Sequence, residues 1–94
     1  MEIDKIVEAM KAELARATRK HNHWPKDILH AVAVLQEEAG ELQQATLQHV
    51  YEGGSIDNVI KEAIQTGAMV LRLLGHIENM APMKCEQISK NIGV

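Results

Sequence analysis

Phenylalanine is absent from this 94-residue chain, and its only aromatic residues besides histidine are one tryptophan and one tyrosine. A sheet sandwich draws on aromatic and β-branched side chains to fill its interior. The 46% hydrophobic fraction here is instead Ala, Val, Ile, Leu and Met, which favours helices. Cysteine is nearly absent too: Cys85 has no second cysteine to pair with, which excludes an internal disulfide and fits a reducing, intracellular setting. No block of lysine or arginine occurs and the formal net charge is −3, so a nucleic-acid polymer, which needs a basic surface, is not an expected partner. No stretch is long and apolar enough to span a bilayer, and Glu2, Asp4 and Lys5 precede no signal-like apolar run. The expectation is a soluble cytoplasmic protein with no membrane partner.

The length allows one domain, residues 1–94, with little room for an independent core. Small aliphatic cores bury little area per residue, so self-association is expected. Ile3, Ile6, Val7, Met10 and Leu14 recur at helical spacing and predict a first helix over about 2–21. Acidic residues in its first turn, and Arg16, Arg19 and Lys20 near its end, complement the helix dipole. Pro25 breaks the run at His21-Asn22-His23-Trp24. A second helix is predicted over about 26–50, stopped by Tyr51-Glu52-Gly53-Gly54-Ser55. Ser55 or Asp57 would cap a third helix reaching about residue 79, and Pro82 would open a short fourth through Ile88.

What the helices carry is more informative than where they end. Glu38 and Glu41 are spaced i,i+3, as are Glu62 and Gln65, which puts each pair one turn apart on one helix face. On the second helix, Ala31, Val34, Leu42 and Ala45 project close to Glu38 and Glu41, while Gln36, Gly40, Gln43 and Gln44 occupy the outer arc. The third helix is apolar almost all round, as expected of a central or interface helix, and Glu62 projects between Met69 and Leu73. Glu38, Glu41 and Glu62 are therefore expected to face inward, where ionised carboxylates are costly unless paired or bound to metal. An all-oxygen set of this kind suits Mg²⁺, or alternatively Mn²⁺. Asn58, Lys61, Gln65, Arg72 and His76 form a polar stripe beside Glu62, and His30 lies two turns before Glu38. Such bordering cations suit a phosphate-bearing ligand.

The run Glu37-Glu38-Ala39-Gly40-Glu41, followed by Glu62-Ala63-Ile64-Gln65, resembles the acidic motifs of the MazG-like, all-α nucleotide pyrophosphohydrolases, a superfamily that includes dimeric dUTPases. Their pattern is E-E-x-x-E on one helix and E-x-x-D on the next. Trp24-Pro25 ahead of the apolar run at 28–35 looks like the segment that leads into the first motif, so the resemblance covers roughly 20–75. It implies an all-α, four-helix-bundle fold assembled by oligomerisation into a homodimer or homotetramer. It also implies Mg²⁺-dependent cleavage of a nucleoside triphosphate between its α and β phosphates, giving a monophosphate and pyrophosphate. On this resemblance Glu38, Glu41 and Glu62 would be metal ligands, with Gln65 in the fourth position. Glu37 or Glu38 would orient or deprotonate the attacking water, and Trp24, Lys26, His30, Lys61 and Arg72 would contact substrate. The chain departs from the pattern at Gln65, where the family has Asp: an amide oxygen brings no charge, so metal should bind more weakly.

Blander roles are open to the same residues. The Glu38 face could be a solvated or dimer-rim surface, Glu62 could pair with Arg72 or Lys61, and Gln65 could be a structural hydrogen-bonding group. Trp24 either stacks on a nucleobase or plugs the first two helices together. Two rival functions remain beside the hydrolase: a nucleotide- or metal-binding module silenced at Gln65, and a helical interaction protein whose glutamates form interchain salt bridges. No E-x-x-H pair occurs, which argues against a ferritin-like di-iron site.

Overall fold

A computed structural model describes residues 1–80 as α1 (Ile3–Lys20), α2 (Ile28–Glu52) and α3 (Ile56–His76), with a 3-10 turn, Ile77–Asn79, continuing α3. No strand occurs among the described residues, in keeping with the all-α expectation. The short helix expected after Pro82, and Cys85, lie outside the described residues.

The helix ends follow from local chemistry. At His21 the backbone N–H still reaches the Ala17 carbonyl at 2.8 Å, and the chain then leaves helical geometry ahead of Pro25. The second helix starts two residues later than the periodicity predicts. Asp27 is its N-cap, and Oδ1 accepts the Leu29 N–H at 2.7 Å. It also runs two residues further than predicted, to Glu52, because the left-handed residue that ends it is Gly53, with φ at 72°. The Gly54 N–H closes that cap on the Gln48 carbonyl at 2.9 Å. Of the two candidate caps for α3, Ser55 fills the role: its hydroxyl accepts the Asp57 N–H at 3.0 Å.

Both other helices pack on α3, which makes α3 the shared wall of the fold, whereas α1 and α2 hardly meet. Small residues set how closely they approach. Ala68 on α3 and Ala31 on α2 are fully buried. At Gly67 a Cβ would lie 2.4 Å from Cε of Met10, so α1 rests its Met10 side chain directly on the α3 backbone. Ala17, Ala68 and Met69 form the buried cluster, with Leu14, Trp24 and Leu35 packed around it. That core draws on all three helices and on the α1–α2 linker.

Burial is otherwise sparse. Ile56, Val70 and Leu74 are exposed on α3, and at 100° per residue they share one arc opposite Arg72. Leu29, Leu47, Val50 and Tyr51 are exposed on α2. Among the described residues no helix is long and apolar enough to cross a membrane.

The close α1–α3 contact gives a direct test of this packing. Ala68→Leu forces a larger side chain between the two helices and should cost about 1–3 kcal/mol. The loss should appear as a lower thermal midpoint, and an unchanged midpoint would mean that α1 does not pack here.

Candidate metal centre and adjoining cleft

The seam between α2 and α3 brings Glu38, Glu41 and Glu62 together, with one carboxylate oxygen from each lying within 4.8 Å of the others. Thr66, one turn beyond Glu62, fastens the seam. Its hydroxyl donates to the Glu62 carbonyl at 2.8 Å and lies 3.3 Å from the Glu38 carbonyl across the helix boundary. This side chain ties the two acidic helices at the level of their carboxylates.

The three carboxylates are not equally buried. Glu38 and Glu62 are half-buried, whereas Glu41 is exposed, contrary to the expectation that all three face inward. Residues three apart on a helix differ by 60° in direction, enough to turn Glu38 toward α3 and leave Glu41 at the solvent edge. Oε2 of Glu38 and Oε2 of Glu62 are buried without a hydrogen-bond partner. Burial pushes the Glu38 carboxyl above its ordinary range, and the neighbouring charges of Glu41 and Glu62 push it further. The suggested pairing of Glu62 with Arg72 or Lys61 does not form: the single close ion pair found among the described residues joins Glu13 to Arg16.

Such a set suits a hard cation. Octahedral coordination at about 2.1 Å puts ligand oxygens roughly 3–4 Å apart, so rotamer adjustments of the long Glu side chains would close the set on one Mg²⁺ or Mn²⁺. Gln65 is half-buried one turn beyond Glu62 and lines the same cleft as Glu38.

That cleft has a volume of about 650 Å³, within the usual range for a small-molecule site. Besides Glu38 and Gln65, its walls include His30 from α2 and Arg16 and Lys20 from α1. A second cleft of about 540 Å³ continues past Gln65 to Lys61 and shares Arg16 and Lys20 with the first. The sequence reading assigned Arg16 and Lys20 only to the helix dipole. The signal available was their alternation with buried Ala17 on one α1 face, which places them beside the core but cannot say what lies opposite. Arg16 forms a two-point ion pair with Glu13, its Nε donating to Oε2 at 2.9 Å. This contact holds the Glu13 carboxyl below its ordinary range, helped by Lys61 and Lys20.

Arg72 differs most from its expected place in a polar stripe. Only 5% exposed, it donates to the His21 carbonyl, and its guanidinium carbon sits 4.8 Å from the Trp24 ring centre. Burial lowers its pKa, although a guanidinium remains charged at neutral pH. His76 lies beside the same ring, 5.9 Å between centroids, and its Nδ1 is 2.9 Å from the Arg72 carbonyl oxygen. Trp24 is thus packed into the α1–α2 linker with Arg72 over its ring, while both residues line the main cleft. Lys26 and Glu37 are exposed and border none of the three clefts described here. The third, of about 420 Å³, carries Glu41 and Glu62 on the solvent side of the carboxylates.

No family model matches this chain, and neither does any curated protein or solved structure. The assignment of chemistry therefore rests on the geometry and on the sequence motifs.

The raised Glu38 pKa has a signed consequence for the metal-free protein. A carboxyl whose folded pKa exceeds its unfolded value favours folding when protonated, and that contribution is lost as pH rises through the folded value. Glu38→Gln, which cannot ionise, should therefore melt above wild type at neutral pH without metal. The gap should close as pH falls below 4.5, the carboxyl's ordinary value. Added Mg²⁺ should raise the wild-type midpoint more than the variant's, as read by paired thermal melts across pH. A gap independent of pH would remove Glu38 from the buried cluster.

Proposed function

We propose that this chain is a Mg²⁺-dependent nucleotide pyrophosphohydrolase of the MazG-like type, cleaving a (deoxy)nucleoside triphosphate to its monophosphate and pyrophosphate. The observation that carries this reading is the set of three carboxylates within 4.8 Å, two with buried unpartnered oxygens, beside a cleft edged by cations. Glu38, Glu41 and Glu62 would hold the metal, with the Gln65 amide oxygen available beside them. A divalent ion bound there would neutralise polyphosphate charge and polarise the α-phosphorus. Lys20 would offset part of the remaining charge along the cleft, where Arg16 is already paired with Glu13. The attacking water adds to the α-phosphorus, the bond to the bridging oxygen breaks, and pyrophosphate leaves. Of the two candidate bases, Glu38 is the better situated to take the water's proton: it lines the cleft, whereas Glu37 is exposed and borders none of the described clefts. The house-cleaning role, hydrolysis of surplus or non-standard nucleotides, is the simplest setting for such an activity.

The exposed arc of Ile56, Val70 and Leu74 supports assembly with a second copy. Two α2–α3 pairs joined on that side would complete a four-helix bundle in a homodimer, or in a tetramer built from dimers. A second reading is favoured by one residue, Gln65. With three charges where the family has four, the chain could bind nucleotide and metal without turnover.

A panel of deoxynucleoside triphosphates with Mg²⁺ or Mn²⁺, assayed for pyrophosphate, separates these readings. Release is expected, and Glu38→Gln should lower it by about 10²-fold or more. Thermal stabilisation by nucleotide with no release would favour the binding module. Neither effect would favour a helical interaction protein. Gln65→Asp should tighten Mg²⁺ binding, and no change would take Gln65 out of the coordination shell.

A further inference from the structure

The second cleft, past Gln65, runs against the charge of the whole chain. The formal net charge is −3, yet this cleft of about 540 Å³ sets Arg16, Lys20 and Lys61 around a single carboxylate, Glu13. Two of the cations come from α1 and one from α3, so the patch exists only once those helices pack. Glu13 is its unusual member. It lies three residues after Met10 and four before Ala17, on the side of α1 that packs against α3. An i,i+3 ion pair on a helix is commonly a solvated contact of little worth. The Glu13–Arg16 pair is lopsided instead: the Glu13 side chain is 17% exposed and the Arg16 side chain 49%. The carboxylate oxygens grip the guanidinium through its Nε and one terminal nitrogen, Nη2. A guanidinium has five N–H donors, and this grip uses two of them. Those on Nη1, and the second on Nη2, are left over. The pair is neutral as a unit, so Arg16 brings donors of fixed direction, while Lys20 and Lys61 bring the net positive charge. Glu13 stays ionised: the Arg16 hydrogen bond outweighs burial, and Lys61 and Lys20 help to hold its carboxyl below the ordinary range.

Resting on the pyrophosphohydrolase reading, we propose that the second cleft receives the β- and γ-phosphates of the substrate. Glu13 is the positioning residue of that subsite, holding Arg16 side-on so that the free guanidinium edge meets phosphate oxygens. The two clefts share Glu13, Arg16, Lys20 and Gln65, so a triphosphate whose α-phosphorus lies by Glu38 has a continuous path for its tail. The family resemblance implies a substrate contact for Lys61 but none for Glu13, Arg16 or Lys20. A guanidinium fork matches phosphate oxygens two at a time, and the ammonium groups of Lys20 and Lys61 act as point charges. The β- and γ-phosphates leave together as pyrophosphate once the bridge to the α-phosphorus breaks, so the same subsite binds the product. Acting by charge alone, a carboxylate here would repel the anion, and its removal would tighten binding. Acting as the anchor of Arg16, its removal loosens binding. The two roles differ in sign.

Calorimetric titration with inorganic pyrophosphate, in EDTA to keep metal out, reads this subsite apart from the carboxylate centre and from turnover. Glu13→Gln should weaken binding at least about threefold, although it removes a negative charge. Arg16→Lys keeps the charge but loses the fork, and should weaken binding by a similar factor. The double variant should be no worse than Arg16→Lys alone, because the Glu13 effect runs through Arg16. Affinity for dTMP in Mg²⁺, a ligand with no β- or γ-phosphate, should be the same in Glu13→Gln as in the wild type. Lys20→Gln changes an exposed side chain and keeps the test open if Glu13→Gln fails to fold. It should weaken pyrophosphate binding about twofold or more and lower its salt dependence. Tighter or unchanged pyrophosphate binding in Glu13→Gln, no effect of Lys20→Gln, additive losses in the double variant, an equal loss for dTMP, or no pyrophosphate binding at all overturns the proposal. Pyrophosphate binding with the expected pattern, but no release from any triphosphate, would sink the hydrolase reading and leave the oxyanion site standing. Turnover that none of these variants alters would do the reverse.

Discussion

Three carboxylates gathered at one helix seam, two of them half-buried, set the constraint that the rest of this small fold has to satisfy. Glu38 and Glu62 face each other across α2 and α3, with Glu41 at the rim, and like charges so close repel one another. Burial aggravates that repulsion for Glu38. The helices nonetheless approach closely, because Ala31 and Ala45 on α2 and Ala68 on α3 take up little space and because Thr66 ties the two backbones together. A seam whose stability alone mattered would carry apolar side chains here. On the proposed reading, the negative charge here is a place for a cation.

The first helix completes the arrangement from the other side. It lies against α3 through Met10 and Ala17, and this packing presents Arg16 and Lys20 to the cleft that Glu38 and Gln65 also line. Positive charge thus stands opposite negative charge across a volume that suits a small ligand. Arg72 organises the far part of that volume. Its buried guanidinium binds the carbonyl of His21 and covers Trp24, so the irregular linker between α1 and α2 is fixed to α3. Arg72, one of the residues expected to contact substrate, is a clamp on the linker, and α1 adds Arg16 and Lys20 to the lining of the cleft.

Helix number and order within the described residues were legible in the sequence, since apolar periodicity and a few punctuating residues determine them. The ends of α2 were less so. Its start depends on a carboxylate cap at Asp27, and its end on which glycine takes the left-handed conformation. The acidic constellation was legible because two i,i+3 pairs on consecutive helices must meet if the helices pack side by side. Its asymmetry was not: a wheel cannot say where the partner helix lies, so it could not separate half-buried Glu38 from exposed Glu41. Nor could it foresee Arg16 and Lys20, whose proximity to Glu38 depends on the α1–α3 packing, or the long-range hydrogen bond from Arg72 to His21. Contacts made within a helix or a turn are written locally, and contacts between elements emerge only on packing.

The claim that most depends on this geometry is the cation site itself. A crystal soaked in Mn²⁺, with diffraction collected near the manganese absorption edge, would locate bound metal without any assumption about substrate. The account predicts an anomalous peak bounded by the carboxylates of Glu38, Glu41 and Glu62, on the side open to the main cleft. A peak coordinated by other residues, or no peak at millimolar Mn²⁺, would contradict it.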